Sequence, residues 1–203
     1  HLDSSIVGVF NSLVPLFTLI LGIFFFKIKP TKKNILGIII AFIGAFVLSY
    51  SNIEDGVKLN KYVFLVILAT VCYSISVNVI KKYLDDLNSF SITAIAFLFI
   101  GPLSFVYLIN TNFVWITLNS PSSYLALFYI VLLAVIGTSL AVIIFNKLIS
   151  RSSAIFASSV TYLIPIIAIF WGFLDGEKIT YYHIIGVSII LCGVYLVNKK
   201  RSE

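Results

Sequence analysis

Apolar stretches broken by short polar links divide the chain into seven segments: 6–26, 35–50, 62–80, 90–109, 124–148, 154–174 and 181–197. A bilayer core takes about 20 apolar residues per helix, so the pattern predicts seven membrane-spanning helices. From Leu87 to Asn146 there is no charge at all, which is too long for one helix. The polar, proline-containing stretch 110–123 divides it in two. All links are short, so successive helices should run antiparallel.

Part of the pattern occurs twice. Leu13, Pro15 and Gly22 match Leu163, Pro165 and Gly172 at one constant offset. After a link the offset slips by one residue, and Gly37 and Gly44 match Gly186 and Gly193. Each copy is an apolar segment with a proline and a later glycine, a charged link, then a second segment with two glycines seven apart. An internal repeat of this kind constrains the fold more than any single motif.

Composition agrees with a membrane protein. Only 11% of residues are charged and 60% are hydrophobic, against roughly 25% charged in soluble domains. The net charge of +6 reads as lysines facing an anionic leaflet. No basic run is interleaved with aromatics, so nucleic acid is not an expected partner. Cys72 and Cys192 lie inside apolar segments and read as small buried hydrophobes. The chain begins with His1 and has no methionine, which suggests a fragment or processed piece.

Charge also sets direction. The links after the first, third and fifth segments, with the tail, carry Lys27, Lys29, Lys32, Lys33, Lys81, Lys82, Lys147, Arg151, Lys199, Lys200 and Arg201. The other side has Lys58, Lys61 and Lys178. The C-terminus is therefore expected in the cytoplasm. The first segment then runs inward and its copy, the sixth, runs outward, so the copies are inverted. Inverted repeats are typical of secondary transporters, with a midplane site between the halves. Matching the five segments of the second half to the first predicts three further helices before residue 1.

At this point the sequence resembles the drug/metabolite transporter superfamily, in its EamA-like ten-helix branch. The resemblance rests on Gly137-Thr138-Ser139-Leu140-Ala141, Ser153-Ala154, Tyr162-Leu163-Ile164-Pro165, Gly176-Glu177-Lys178-Ile179-Thr180, and Gly186 with Gly193. It also rests on Ala69 to Ser74 running into Lys81-Lys82. The resemblance implies an all-α polytopic membrane protein with seven transmembrane helices, part of a ten-helix inverted-repeat (5+5) bundle. Residues 1–53 would be the last two helices of the first repeat, and 60–200 the complete second repeat. It further implies transport of small metabolites through a central cavity. The first copy departs from the pattern, with Phe26-Lys27 where the second has Gly176-Glu177.

Candidate chemistry follows from polar residues at midplane depth. Asn11 and Ser12 precede Pro15, and Ser158, Thr161 and Tyr162 precede Pro165. The third segment adds Tyr73 and Ser76, and the fifth adds Thr138 and Ser139. These nine are the expected substrate-binding residues, against the alternative that serines and threonines simply join helices. Pro15 and Pro165 are expected hinges. The paired glycines read as structural, letting the second and seventh segments pack closely. All eight acids fall in links or ends, so no intramembrane carboxylate offers proton coupling. No metal-ligand spacing, activated nucleophile or phosphate loop is present, so no enzyme activity, metal or cofactor is expected.

The function expected is a secondary transporter in the cytoplasmic membrane that moves a small metabolite, such as an amino acid, by alternating access. Its partners would be that small molecule and the bilayer, with homodimer formation an open alternative. The competing reading is a non-transporting structural or assembly membrane protein.

Overall fold

A computed structural model describes residues 10–50, 61–119, 122–174 and 181–198. Every regular element among them is helical. In chain order these are α1 (Val14–Phe24), α2 (Lys32–Tyr50), α3 (Lys61–Tyr83), α4 (Ser89–Ile109), α5 (Phe113–Asn119) and α6 (Ser122–Leu132). A π-helical stretch (Leu133–Leu140) leads into α7 (Ala141–Arg151). Then come α8 (Ala154–Ser159), a 3₁₀ turn (Val160–Leu163), α9 (Ile164–Leu174) and α10 (Tyr181–Asn198).

Four helical stretches are long and apolar enough to cross a membrane: Tyr62–Tyr83, Ser89–Ile109, Ser123–Arg151 and Tyr181–Asn198. Val14–Phe24 and Ala154–Leu163 are shorter apolar helices. Both of the latter adjoin a proline, and the backbone shows why. A proline cannot donate to the carbonyl four residues back. Before Pro15 the Leu13 N–H turns instead to the Phe10 carbonyl, at 3.0 Å. Before Pro165 the chain tightens into the 3₁₀ turn, and the Ile164 N–H bonds to the Thr161 carbonyl. Both copies thus tighten into bonds three residues back just before their proline.

The chain forms two compact units, His1–Lys82 with Ser152–Glu203, and Tyr83–Arg151. In the first unit, α2 and α10 meet backbone to backbone. A Cβ added to Gly37 would lie 2.7 Å from the Gly193 carbonyl oxygen, and one on Gly44 would lie 2.9 Å from that of Gly186. Position 37 meets 193 while 44 meets 186, so the two helices run antiparallel. The two contacts exchange partners under the sequence repeat, as a self-complementary two-fold contact does. The glycines therefore pack the repeated helices against each other.

Two apolar clusters flank this seam. Ala41, Ala45, Tyr162 and Ile190 form one, and Leu19, Ile38, Ile155 and Val197 the other. Along the sixth segment, Ile155 sits with Ile38 and Val197 while Tyr162 sits with Ala41 and Ile190. That segment therefore runs with α2 and against α10.

α1 and α3 are joined by a polar ladder. The Ser74 hydroxyl donates to the Val14 carbonyl at 3.0 Å, and the Asn78 amide to the Thr18 carbonyl at 3.0 Å. Lys82 Nζ donates to the Phe26 carbonyl at 3.2 Å. The register advances together on both helices, so α1 and α3 are parallel. Residues 70, 74, 78 and 82 are one turn apart and share a face.

In the second unit, Asn146 on α7 donates through its amide to the Thr93 hydroxyl on α4, at 2.9 Å, and both are buried. Thr93 in turn donates to the Ser89 carbonyl at 2.9 Å. The Asn88 side chain caps α4 by accepting from the Phe90 N–H at 3.0 Å. The remainder of α4 and α6 presents its large apolar side chains outward, as lipid-facing helices do.

Candidate functional site

The polar residues expected to meet substrate divide by exposure. In the first unit Ser12, Ser158 and Tyr162 are buried, and so is Pro15. The Ser158 hydroxyl bonds back to the Ile155 carbonyl at 3.0 Å, and Thr161 to the Ser158 carbonyl at 2.8 Å. Such back-bonds to the preceding turn accompany bent helices. The Tyr162 ring fills the space left by Ala41 and Ala45, and its hydroxyl donates to the Ile38 carbonyl at 3.3 Å. It ties the proline segment to α2.

Asn11, Tyr73 and Ser76 face outward instead, with Tyr73 40% exposed. The α1–α3 ladder pairs 14 with 74, so Asn11 and Tyr73 lie within about 3 Å of each other in depth, at 1.5 Å per residue. α3 thus has two polar faces. Thr70, Ser74 and Asn78 are buried, the last two against α1, while Tyr73 and Ser76 remain on the open side. The structure brings Ser158, Thr161 and Tyr162 together beside the α2–α10 seam. Asn11, Tyr73 and Ser76 occupy exposed positions instead.

Thr138 and Ser139 belong to the second unit and lie in its π-helical stretch. Their hydroxyls bond to carbonyls five residues back, Thr138 to Leu133 at 3.3 Å and Ser139 to Ala134 at 2.9 Å. π-Helical turns are rare and concentrate at functional sites. Pro165 falls at the start of α9, immediately after the 3₁₀ turn. The Gly176 to Thr180 motif lies outside the described residues.

The sequence reading missed the ladder partners Thr18 and Ser74. The four-residue spacing of Thr70, Ser74, Asn78 and Lys82 was the signal that could have found them. It also missed the Asn146–Thr93 clamp, because no spacing pattern joins two residues 53 apart on different helices. Buried polar side chains in both units are uncharged Ser, Thr and Asn. No group of His, Cys, Asp or Glu among the described residues could hold a metal ion.

The profile of the EamA-like transporter family matches residues 1–50 and 60–199. The chain belongs to the EamA-like transporter family. It is also 28% identical over 206 residues to an uncharacterized transporter of Archaeoglobus fulgidus, spanning 99% of this chain and 70% of that one. No solved structure gives a significant match. The family membership and the spanning-type helices make this EamA-like chain a multi-pass membrane transporter and not an enzyme.

Proposed function

We propose that this EamA-like protein carries a small polar metabolite, such as an amino acid, across the cytoplasmic membrane by alternating access, on a 5+5 inverted-repeat plan. The exchanged glycine contacts between α2 and α10 carry this reading. Equivalent helices of two copies that run antiparallel through a two-fold contact are what inverted repeats require. The parallel α1–α3 pair is consistent with a chain that reverses at every link.

Orientation has support of its own. Lys82 bonds to Phe26, and the Asn34 amide donates to the Val197 carbonyl at 3.0 Å. These contacts gather the link after α1, the end of α3 and the end of α10 at one end of the unit. A cytoplasmic C-terminus puts that basic end inside.

The test is uptake of a panel of labelled amino acids and related metabolites by vesicles holding the full-length protein. Asn11→Ala and Tyr73→Ala should each lower uptake several-fold without unfolding the protein. If both variants transport as the parent does, solute passes elsewhere and the proposed path is wrong.

A further inference from the structure

The link between α1 and α2 is short and strongly basic. It carries Lys27, Lys29, Lys32 and Lys33, and no acid occurs anywhere from Ser4 to Ile53. Lys27, Lys29 and Lys32 are exposed and Lys33 is half-buried. No described carboxylate pairs with any of the four. The acids among the described residues, Asp85 and Asp86, follow the separate Lys81-Lys82 pair.

The link is held in place from both ends. The Ile28 N–H reaches the Gly22 carbonyl at 2.9 Å, and the Ile28 side chain packs against the Leu19, Ile38, Ile155 and Val197 cluster. Thr31 and Asn34 cap α2 reciprocally: the Thr31 N–H donates to Asn34 Oδ1 at 3.0 Å, and the Asn34 N–H to Thr31 Oγ1 at 3.2 Å. Lys27 between these anchors adopts φ 57°, a region that a glycine would occupy with less strain. A glycine there would lack the charge.

Beside the lysines stand two large apolar side chains. Phe24 is 76% exposed and Phe25 72% exposed. Lys82 holds the adjoining Phe26, donating to its carbonyl and standing 5.7 Å from its ring centre. A soluble anion would satisfy the lysines but leave the phenyl rings in water. A lipid surface satisfies both, since headgroup phosphate lies just above acyl chain. Two cations in the first turn of α2, with no acid there, reverse the usual preference of a helix start for negative charge. An adjacent anion relieves that repulsion.

We infer that the α1–α2 link is a docking surface for anionic phospholipid. Lys27, Lys29, Lys32 and Lys33 take the phosphates, and Phe24 and Phe25 sit among the acyl chains. This does not rest on the transport reading, and lipid retention can succeed or fail whatever the solute.

The full chain, purified in detergent, is titrated with phosphatidylglycerol or phosphatidylcholine, and retained lipid is counted by native mass spectrometry. Phosphatidylglycerol should be retained preferentially. Near an anionic surface each lysine is worth about five-fold in binding, so K27Q/K29Q/K32Q/K33Q should lose at least ten-fold of that preference. K29Q and K32Q alone should each lose several-fold, which keeps the test decisive if the quadruple variant does not fold. K58Q/K61Q, altered just before and at the first residue of α3, should keep the preference. Equal retention of the two lipids, or undiminished preference in the quadruple variant or in both single variants, overturns the proposal. Displacement of phosphatidylglycerol by millimolar inorganic phosphate also overturns it, because the site would then be one for free phosphate.

Discussion

Replacing Gly193 by alanine tests the seam on which the repeat turns. A Cβ at that position would lie 2.6 Å from the Gly37 carbonyl oxygen and 2.7 Å from Ala41 Cβ, with the Ala41 nitrogen closer still. Two of these three neighbours are backbone atoms and cannot rotate away. Restoring ordinary contact with the nearest of them requires α2 and α10 to part by about 1 Å. Overpacking of this kind costs about 1–3 kcal/mol. A gap of that size also forfeits a quarter to a half of the dispersion energy of atoms along the seam. Alanine returns roughly 0.8–1 kcal/mol through helix propensity. The overpacking cost less that return is about 0–2 kcal/mol and the lost dispersion adds to it, so the net loss is on the order of 1–2.5 kcal/mol, roughly five- to seventy-fold in the folding equilibrium. Unfolding in mixed micelles, followed by circular dichroism, measures it. Gly101→Ala in α4 is the control, because a Cβ there meets nothing within 4 Å, and it should be neutral or slightly stabilising. Gly37→Ala should resemble Gly193→Ala, and the double variant should lose less than the sum, since one separation accommodates both. If Gly193→Ala is as stable as Gly101→Ala, the two helices do not touch as described and the argument for inversion loses its main support.

Two other substitutions separate roles within one residue. Asn34→Asp keeps the acceptor that caps α2 but loses the donor to Val197, so it should cost less than Asn34→Ala, for which about 1–2 kcal/mol is expected; equal losses in thermal unfolding would show that the cap contributes nothing. Asn78 donates to the Thr18 and Ser74 carbonyls while its buried Oδ1 has no partner among the described residues. Asn78→Leu removes two bonds and one unpaired acceptor together and should fall within about 1 kcal/mol of the parent, whereas Asn78→Asp buries a charge facing two carbonyls and should be far less stable. A well-tolerated Asn78→Asp in the same unfolding assay would contradict the ladder.

Glycine and lysine were the most legible residues in the sequence, because each meets a constraint that does not depend on neighbours. Glycines seven apart mark a face where backbones can touch, and Gly37, Gly44 and Gly193 all lie in such a contact. Lysines mark an end, and the contacts of Lys82 and Asn34 bring basic segments together. Polar residues within the spans were less legible. In lipid both sides of a helix are apolar, so periodicity does not tell a packed face from an open one. Tyr73 and Ser74 are adjacent, yet one faces outward and the other is buried against α1. The π-helical stretch was not legible either, since nothing in Gly137-Thr138-Ser139 excludes an ordinary α-helix.

The proline breaks differ physically from the seams around them. α2 and α10 are locked by backbone contact, and α1 and α3 by bonds to carbonyls, so neither pair can slide without losing them. The breaks cost less to move. Leu13 has φ −75° and ψ −15°, and a ψ change of about 27° would bring it to the ordinary helix value. A bend that lies so close to the straight form in geometry can switch at small cost, as a hinge must. Pro15→Ala supplies the missing N–H for the Asn11 carbonyl and favours the straight form. It should leave stability within about 1 kcal/mol of the parent and lower uptake several-fold, and Pro165→Ala should do the same in the second copy. An unfolding midpoint near that of the parent would set aside trivial misfolding. Normal uptake in both variants would show that these prolines shape the helices without moving them, and the bending would have to be sought in the π-helical stretch instead.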